Sequence, residues 1–305
     1  MNDLTKHILK IVNEEFSKKG TAYNIRKDGK GIDRGCTENI RIESKTDKDG
    51  INIYVDPDTS EGYVHIPVVI TKSGLNDKVY NDFYIGENSH VVINAGCGIH
   101  NDAHKDSEHE GIHRFFVGKN SYVKYIEKHY GEGDGDGKRI LNPRTEVYLE
   151  ENATLEMDTA QIKGVSSADR KTKAVLKDNA KLVITERIMT HGEQNAKTMF
   201  DVKLNGKVSS AKVTSRSVAK DNSSQQFISN VYGNNDCFAH VECDAIINDN
   251  AHVSSDPKIV ANHIDARLIH EATIGKIAGD QLIKLMTLGL SKKKAEETII
   301  NGFLK

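Results

Sequence analysis

The chain has 305 residues, 44 of them acidic and 42 basic, with four cysteines and no tryptophan. That length can bury a core without stapling, and Cys36, Cys97, Cys237 and Cys243 are too scattered for a small secreted disulfide scaffold, so free thiols in a reducing compartment are expected. Balanced charge offers no global basic excess for nucleic acid, and neither a signal-peptide core nor a run of ~18 apolar residues is present, so the expectation is a cytoplasmic protein that binds neither nucleic acid nor membrane.

Leu4, Ile8, Ile11, Val12 and Phe16 recur at helical spacing behind Asn2 and Asp3, and Lys18, Lys19 and Gly20 close the pattern. This predicts one short amphipathic helix. From about Gly20 to Gly74 the texture changes to alternating stretches, "NIRIES", "INIYVD" and "YVHIPVVIT", separated by Asp, Gly and Ser turns, which read as strands. Beyond them a pattern of apolar-x-x-Asn-small-x-apolar recurs, with its asparagines at Asn88, Asn120, Asn152, Asn179 and Asn250, and a degenerate copy "LNGKV" at 204–208. The first two steps are equal, the third is slightly shorter, and the last, from Asn179 to Asn250, is more than twice as long and is divided by the degenerate copy. Each unit is a strand, an Asn-led turn that tolerates a left-handed residue, and another strand. Such periods mark a solenoid, and enrichment in Val, Ile, Thr and Tyr at period two makes it a β-solenoid whose stacked coils lie ~4.8 Å apart.

After Glu271 the pattern becomes helical again. One helix ends at Gly289, Ser291 caps a second, and Gly302 stops it. This hairpin is expected either to cover the open edge of the last coil or to dock a partner. The chain thus divides into an N-terminal helix and strand region (1–74), a solenoid core (75–272) and a helical C-terminal region (273–305).

Three groups of residues could carry chemistry. Cys237 and Cys243 share the apolar parity of their stretch with Ala239, Val241 and Ala245, which reads as two buried thiols; six residues of extended chain separate them by roughly 20 Å, so they cannot share a metal within one chain. The step from Cys243 to Glu271 falls within the range of one repeat, which places Glu271 or His270 on the coil beside Cys243. A thiolate, an imidazole and a carboxylate suit iron or zinc, but alternation sends His270 and Glu271 to opposite faces. The densest cluster is "CGIHNDAHKDSEHEGIH", containing Cys97, His100, His104, His109 and His113. Its end matches the H-E-x-x-H of zinc proteases, with Glu110 as base, but that motif works on a helix, whereas here Gly111 and the following "IHRFFVG" read as strand and set the two imidazoles roughly 13 Å apart. There is no P-loop ("GKN" at Gly118 lacks the hydroxyl residue), no G-x-S-x-G and no C-x-x-C, and "GEGDGDGK" (131–138) reads as a mobile loop. Any ATP dependence would come from a partner. A β-helix enzyme, either a metal-dependent hydrolase using the histidines from His100 to His113 or a polysaccharide-acting one, and a purely structural interaction solenoid stay open as alternatives. Only 6% of residues are aromatic, few for a sugar-binding face.

The C-terminal stretch "CDAIINDNAHVSSDPKIVANHIDARLIHEATIGKIAGDQLIKLMTLGLSKKKAEETIINGFLK" resembles the SufB and SufD scaffold proteins of the SUF system, in which a CD dipeptide, a P-x-I segment, HEA-x-I-G-K-I, DQL, GLS and a terminal GF-L follow in this order. The resemblance runs from Cys243 to Lys305 at high specificity, and the repeats upstream suit the family's right-handed parallel β-helix. It implies a non-catalytic scaffold on which an iron–sulfur cluster is transiently assembled and passed to recipient apo-proteins, with the ABC-type ATPase SufC bound at the helical C-terminal region. Carried across by position, the cluster-associated cysteine falls on Cys243, the glutamate on Glu271 and the histidine of the SufD-type partner on His270; Cys237 has a weaker claim. By this resemblance the long N-terminal part of the larger SufB proteins is expected to be missing here. A short SufB-like member is therefore expected to work as a homodimer paired through its C-terminal strands, or with a SufD-like protein.

Overall fold

The computed structural model describes residues 3–12 and 18–305. Strict two-residue alternation governs its strands: Ser107–Val117 and Tyr122–Glu132 are buried at every second residue along their whole length, as strands facing a core on one side must be. The chain switches back and forth between two ten-stranded sheets. Successive strands of one sheet are one coil apart and pair in parallel, as Lys181–Thr190, Ser209–Ala219, Cys237–Ile247 and Arg267–Gly275 do. The result is a parallel β-solenoid of about 8 turns. Two antiparallel pairings, Ala22–Lys27 with Lys30–Gly35 and Ile40–Ser44 with Gly50–Val55, close its N-terminal end, and both sheets run unbroken across residue 75.

The corners explain the asparagine repeat. Asn88, Asn120, Asn152 and Asn179 all take the left-handed conformation, at φ 57°, 58°, 60° and 56°, which Asn tolerates better than other non-glycine residues. Three of them also form a ladder: Asn152 donates to Asn120 and Asn120 to Asn88, at 2.9 and 3.0 Å. The degenerate copy puts Val208 in the same conformation at φ 59°. Asn250 departs from the expectation: the left-handed residue there is Asp249, and the turn stacks on that of Asp221 at the opposite corner, with Asn250 N–H donating to the Asp221 carbonyl. Both corners make the same short turn, so the motif alone cannot tell them apart. The long step from Asn179 to Asn250 therefore spans a half-integral number of coils, not a whole one.

The 131–138 segment is not the free loop its glycines suggest. It lies against residues 101–106 of the preceding coil, where Gly137 N–H donates to the Ala103 carbonyl at 2.9 Å and Lys138 N–H to Asp106 Oδ1 at 2.8 Å. A Cβ at Gly137 would come within 2.4 Å of the Lys105 carbonyl oxygen, so the glycines permit backbone stacking.

Among the described residues three helices pack on the outside. Helix α1, Asp3–Val12, seats Ile8 and Val12 against Val69; Asn2 and Phe16, assigned to the same helix from sequence, lie outside the described residues. Helix α2, Gly279–Thr287, buries no side chain. Helix α3, Lys292–Phe303, is capped by Ser291 as expected, its hydroxyl accepting from Lys294 N–H, but it runs through Gly302 and stops only at Leu304. Ile300 and Leu304 pack with Val218, Met189 and Ile246 on the flank of one sheet. The hairpin therefore does not cap the solenoid. The last coil, His252–Ala261 and Arg267–Gly275, remains largely exposed, with Ile264 at 95%.

Candidate functional site

Register places the C-terminal candidates. Cys243 pairs with Ala272, Glu242 with Glu271 and Val241 with His270. The coil here is thus one residue longer than the step from Cys243 to Glu271, and neither His270 nor Glu271 lies directly beside Cys243. Parity then separates them. Cys243 and His270 point inward, diagonal neighbours on one face of the final two strands. Glu271 points out, two-thirds exposed, with an oxygen 3.3 Å from His240 Nε2. Cys237 is inward like Cys243 and buried in the same apolar cluster, at the start of the same strand. All four cysteines are free, and only Cys36 is exposed.

The inward pair is held from the facing sheet. His270 Nδ1 lies 3.4 Å from Ser229 Oγ and its Nε2 3.5 Å from Ser255 Oγ. Burial, helped by nearby His240, lowers the imidazole's pKa, which keeps it neutral with a ring nitrogen able to act as a ligand. Burial pushes the Cys243 thiol up to about 11, against the opposing pull of a hydrogen bond with Ser255. At neutral pH it is a thiol, and it must lose its proton to become a metal ligand. One chain thus offers an inward sulfur and nitrogen and, on the other side of the same strand, an outward carboxylate. Ser229, Ser255 and His240 had no sequence signal beyond their parity.

Behind Cys243 runs a row of inward positions in parallel register: Ala95, Glu127, Thr159, Glu186, Ser215, Cys243 and Ala272. Two of them are buried carboxylates. Arg170 from the opposite sheet lies between them, donating to Glu127 and standing 3.4 Å from Glu186, while Ser215 and Thr198 donate to Glu186 at 2.9 and 3.0 Å. Burial would raise Glu127, but Arg170 and His129 overcome it and hold its pKa well below the carboxylate range. For Glu186 burial prevails over the same guanidinium and the two hydroxyls, and its pKa is raised. Farther along, Arg26 and His109 both donate to Asp77. These charges were legible in part, since "YVKYIEKHY" carries Glu127 on the parity of Val123 and Tyr125.

The H-E-x-x-H match lies on a strand, as its flanks predicted, and Glu110 faces outward, paired with Lys78 and Arg144. It has no access to the two imidazoles as a base. The expected imidazole separation is too large, however, because both rings lean toward the gap left by Gly111.

Comparison with known proteins converges on one family. Residues 81–303 match the model of the SufBD core domain of SUF-system iron–sulfur cluster assembly. The chain is 32% identical over 246 residues to an iron–sulfur cluster assembly SufBD family protein of Pyrococcus horikoshii, covering 79% of this chain and 73% of that one. It is 29% identical over 287 residues to one from Methanocaldococcus jannaschii, covering 92% and 89%. A 70-residue stretch is 37% identical to the iron–sulfur cluster assembly protein SufB of Bacillus subtilis, covering 22% of this chain and 15% of that protein.

Proposed function

Because the chain belongs to the SufBD family of iron–sulfur cluster assembly proteins, we propose that it is a non-catalytic scaffold that builds a transient cluster at Cys243 with a SufC-like ABC ATPase and passes it to apo-proteins in the cytoplasm. The observation that carries this is the placement of Cys243 and His270 on one face at the solenoid's uncovered end. A thiolate and a neutral imidazole are matched to iron. Glu271, on the outer face within reach of His240, would meet iron at a later stage of assembly, and Cys237 would pack the approach.

A single chain brings too few donors for a cluster that takes four protein ligands. The edge strands of the last coil, unpaired on one side, would let a second copy or a SufD-like protein add its own Cys243 or equivalent. Helix α2 supports the ATPase partner: Ile283, Met286 and the adjoining Leu288 are exposed at 60%, 44% and 77%, an apolar surface that a monomer has no reason to keep.

Anaerobic reconstitution with ferrous iron and sulfide tests the site. The wild-type chain should turn brown, Cys243→Ala should lose most of the visible absorbance, and Cys237→Ala should retain it. Unchanged absorbance in Cys243→Ala would remove the cluster from this position.

A further inference from the structure

At the N-terminal end of the solenoid the two antiparallel hairpins leave a basin of about 350 Å³ between them. Its lining holds five cations, Arg26, Lys30, Arg34, Lys45 and Lys48, and one carboxylate, Asp49. In a chain of net charge -2 this is a local concentration of positive charge. Two of the five are committed elsewhere: Arg26 lies 2.6 Å from Asp77 and Lys45 2.6 Å from Asp82. Lys48 stands 3.5 Å from Asp47, whose side chain is two-thirds exposed, and a pair so open to water is weak. Among the described residues Lys30 and Arg34 have no carboxylate partner at all. Neutral oxygens hold Arg34 instead, its Nε donating to Asn24 Oδ1 at 2.9 Å and its Nη2 to Ser44 Oγ at 3.0 Å. Those contacts fix the guanidinium and leave its charge uncompensated.

The floor adds hydrogen-bond donors to this charge. Asn24 and Arg26, inward on Ala22–Lys27, are only 8% and 9% exposed. Arg26 turns Nε and Nη2 to Asp77, which leaves Nη1 without a partner among the described residues. Asn24 accepts from Arg34 through Oδ1, and its Nδ2 donates to nothing. Neither nitrogen is sealed from solvent, so the small area each keeps opens into the basin that both residues line. Buried donors are almost always satisfied, and here two unspent ones meet beneath a ring of positive charge.

From this we propose that the basin binds a small phosphate-bearing anion, its oxygens held by Arg26 Nη1 and Asn24 Nδ2 from the floor and by Lys30, Arg34 and Lys48 from the two hairpins. A carboxylate presents two coplanar oxygens, which one guanidinium fork satisfies. Donors that converge from a floor and two sides suit an anion with oxygens pointing several ways. The volume lies at the lower end of small-molecule sites, and Ile51, Ile66, Val68 and Val79 back it with apolar wall, which strengthens the attraction by lowering the local dielectric. No part of this site belongs to the C-terminal strands that carry Cys243.

The test is isothermal titration of the full-length chain with inorganic pyrophosphate at low salt and without divalent metal, which should show one site per chain. Citrate should bind at least about tenfold more weakly. Lys30→Gln combined with Arg34→Gln should weaken pyrophosphate about 100-fold or more, since each charge-assisted hydrogen bond carries roughly a factor of ten. Gly31→Asp is the second variant: a Cβ at Gly31 would lie 3.8 Å from Asn24 Oδ1, an ordinary contact, so the change adds a carboxylate to the basin without displacing a neighbour. It should abolish binding at an unchanged thermal midpoint. Lys119→Gln, at an exposed lysine paired with Glu151, should change nothing. AMP that competes with pyrophosphate would support a phosphate ester as the ligand, and AMP that does not would support an inorganic one. Absence of pyrophosphate binding, citrate binding as tight as pyrophosphate, or binding retained in both basin variants would overturn the assignment.

Discussion

Cys243 should be a slow nucleophile in the isolated chain, by an amount that follows from its surroundings. Burial moves its pKa from 9.0 to about 11, so at pH 7 to 8 the thiolate fraction falls about 100-fold. A more basic thiolate is intrinsically more nucleophilic, with a Brønsted slope of ~0.45, which returns roughly a factor of eight. Ionisation alone thus slows alkylation about tenfold, and steric burial at 2% exposure slows it further. Iodoacetamide labelling followed by peptide mass mapping measures this directly, with exposed Cys36 as the reference inside the same molecule. The Cys243 rate should also keep climbing about tenfold per pH unit through pH 9 to 10, where an ordinary thiol levels off. Ser255→Ala should slow it again, because the hydrogen bond that favours the thiolate is lost. Equal rates for Cys243 and Cys36, or a plateau below pH 9, would show that the thiol is open to water and refute its placement. The same proton must leave when iron binds, so apparent ferrous affinity at this site should rise with pH across the neutral range.

Replacing Arg170 with Met strands two buried carboxylates and should cost about 3–5 kcal/mol in urea denaturation, with part of the loss recovered when Glu127→Leu is added; a loss under about 1 kcal/mol would mean that water reaches these groups. On α2, Ile283→Asp with Met286→Asp should leave the thermal midpoint unchanged, because the helix buries nothing, while abolishing capture of a SufC-like ATPase. Full retention of binding would move the docking surface elsewhere.

The fold was readable because a solenoid repeats its local rules. Left-handed turns favour Asn, Asp or Gly, and Asn88, Asn120, Asn152 and Asn179 recur where the chain turns. Alternation along Tyr122–Glu132 separates inside from outside residue by residue. What could not be read was which corner a turn belongs to, since Asp249 and Asn179 occupy similar motifs on opposite sides, and where the terminal hairpin packs, since the apolar residues of α3 would suit a sheet's flank or its end equally well.

The C-terminal candidates show how narrow the margin is. Counting one repeat onward from Cys243 placed Glu271 within one position of its neighbour and His270 within two, yet a one-residue change of register in a strand exchanges every side chain between core and solvent. The true coil, longer by that single residue, pairs Cys243 with Ala272, which leaves His270 inside with the thiol and turns Glu271 out. The count alone could not make that choice; parity could, because Leu268 and His270 continue the inward alternation of Ala239, Val241 and Cys243. At the histidine pair the error ran the other way. Backbone rise sets the spacing of the two strand positions, but two long side chains flanking a glycine can lean into the volume its missing Cβ leaves, and Gly111, which argued against a helix, is what lets both rings turn toward the same gap.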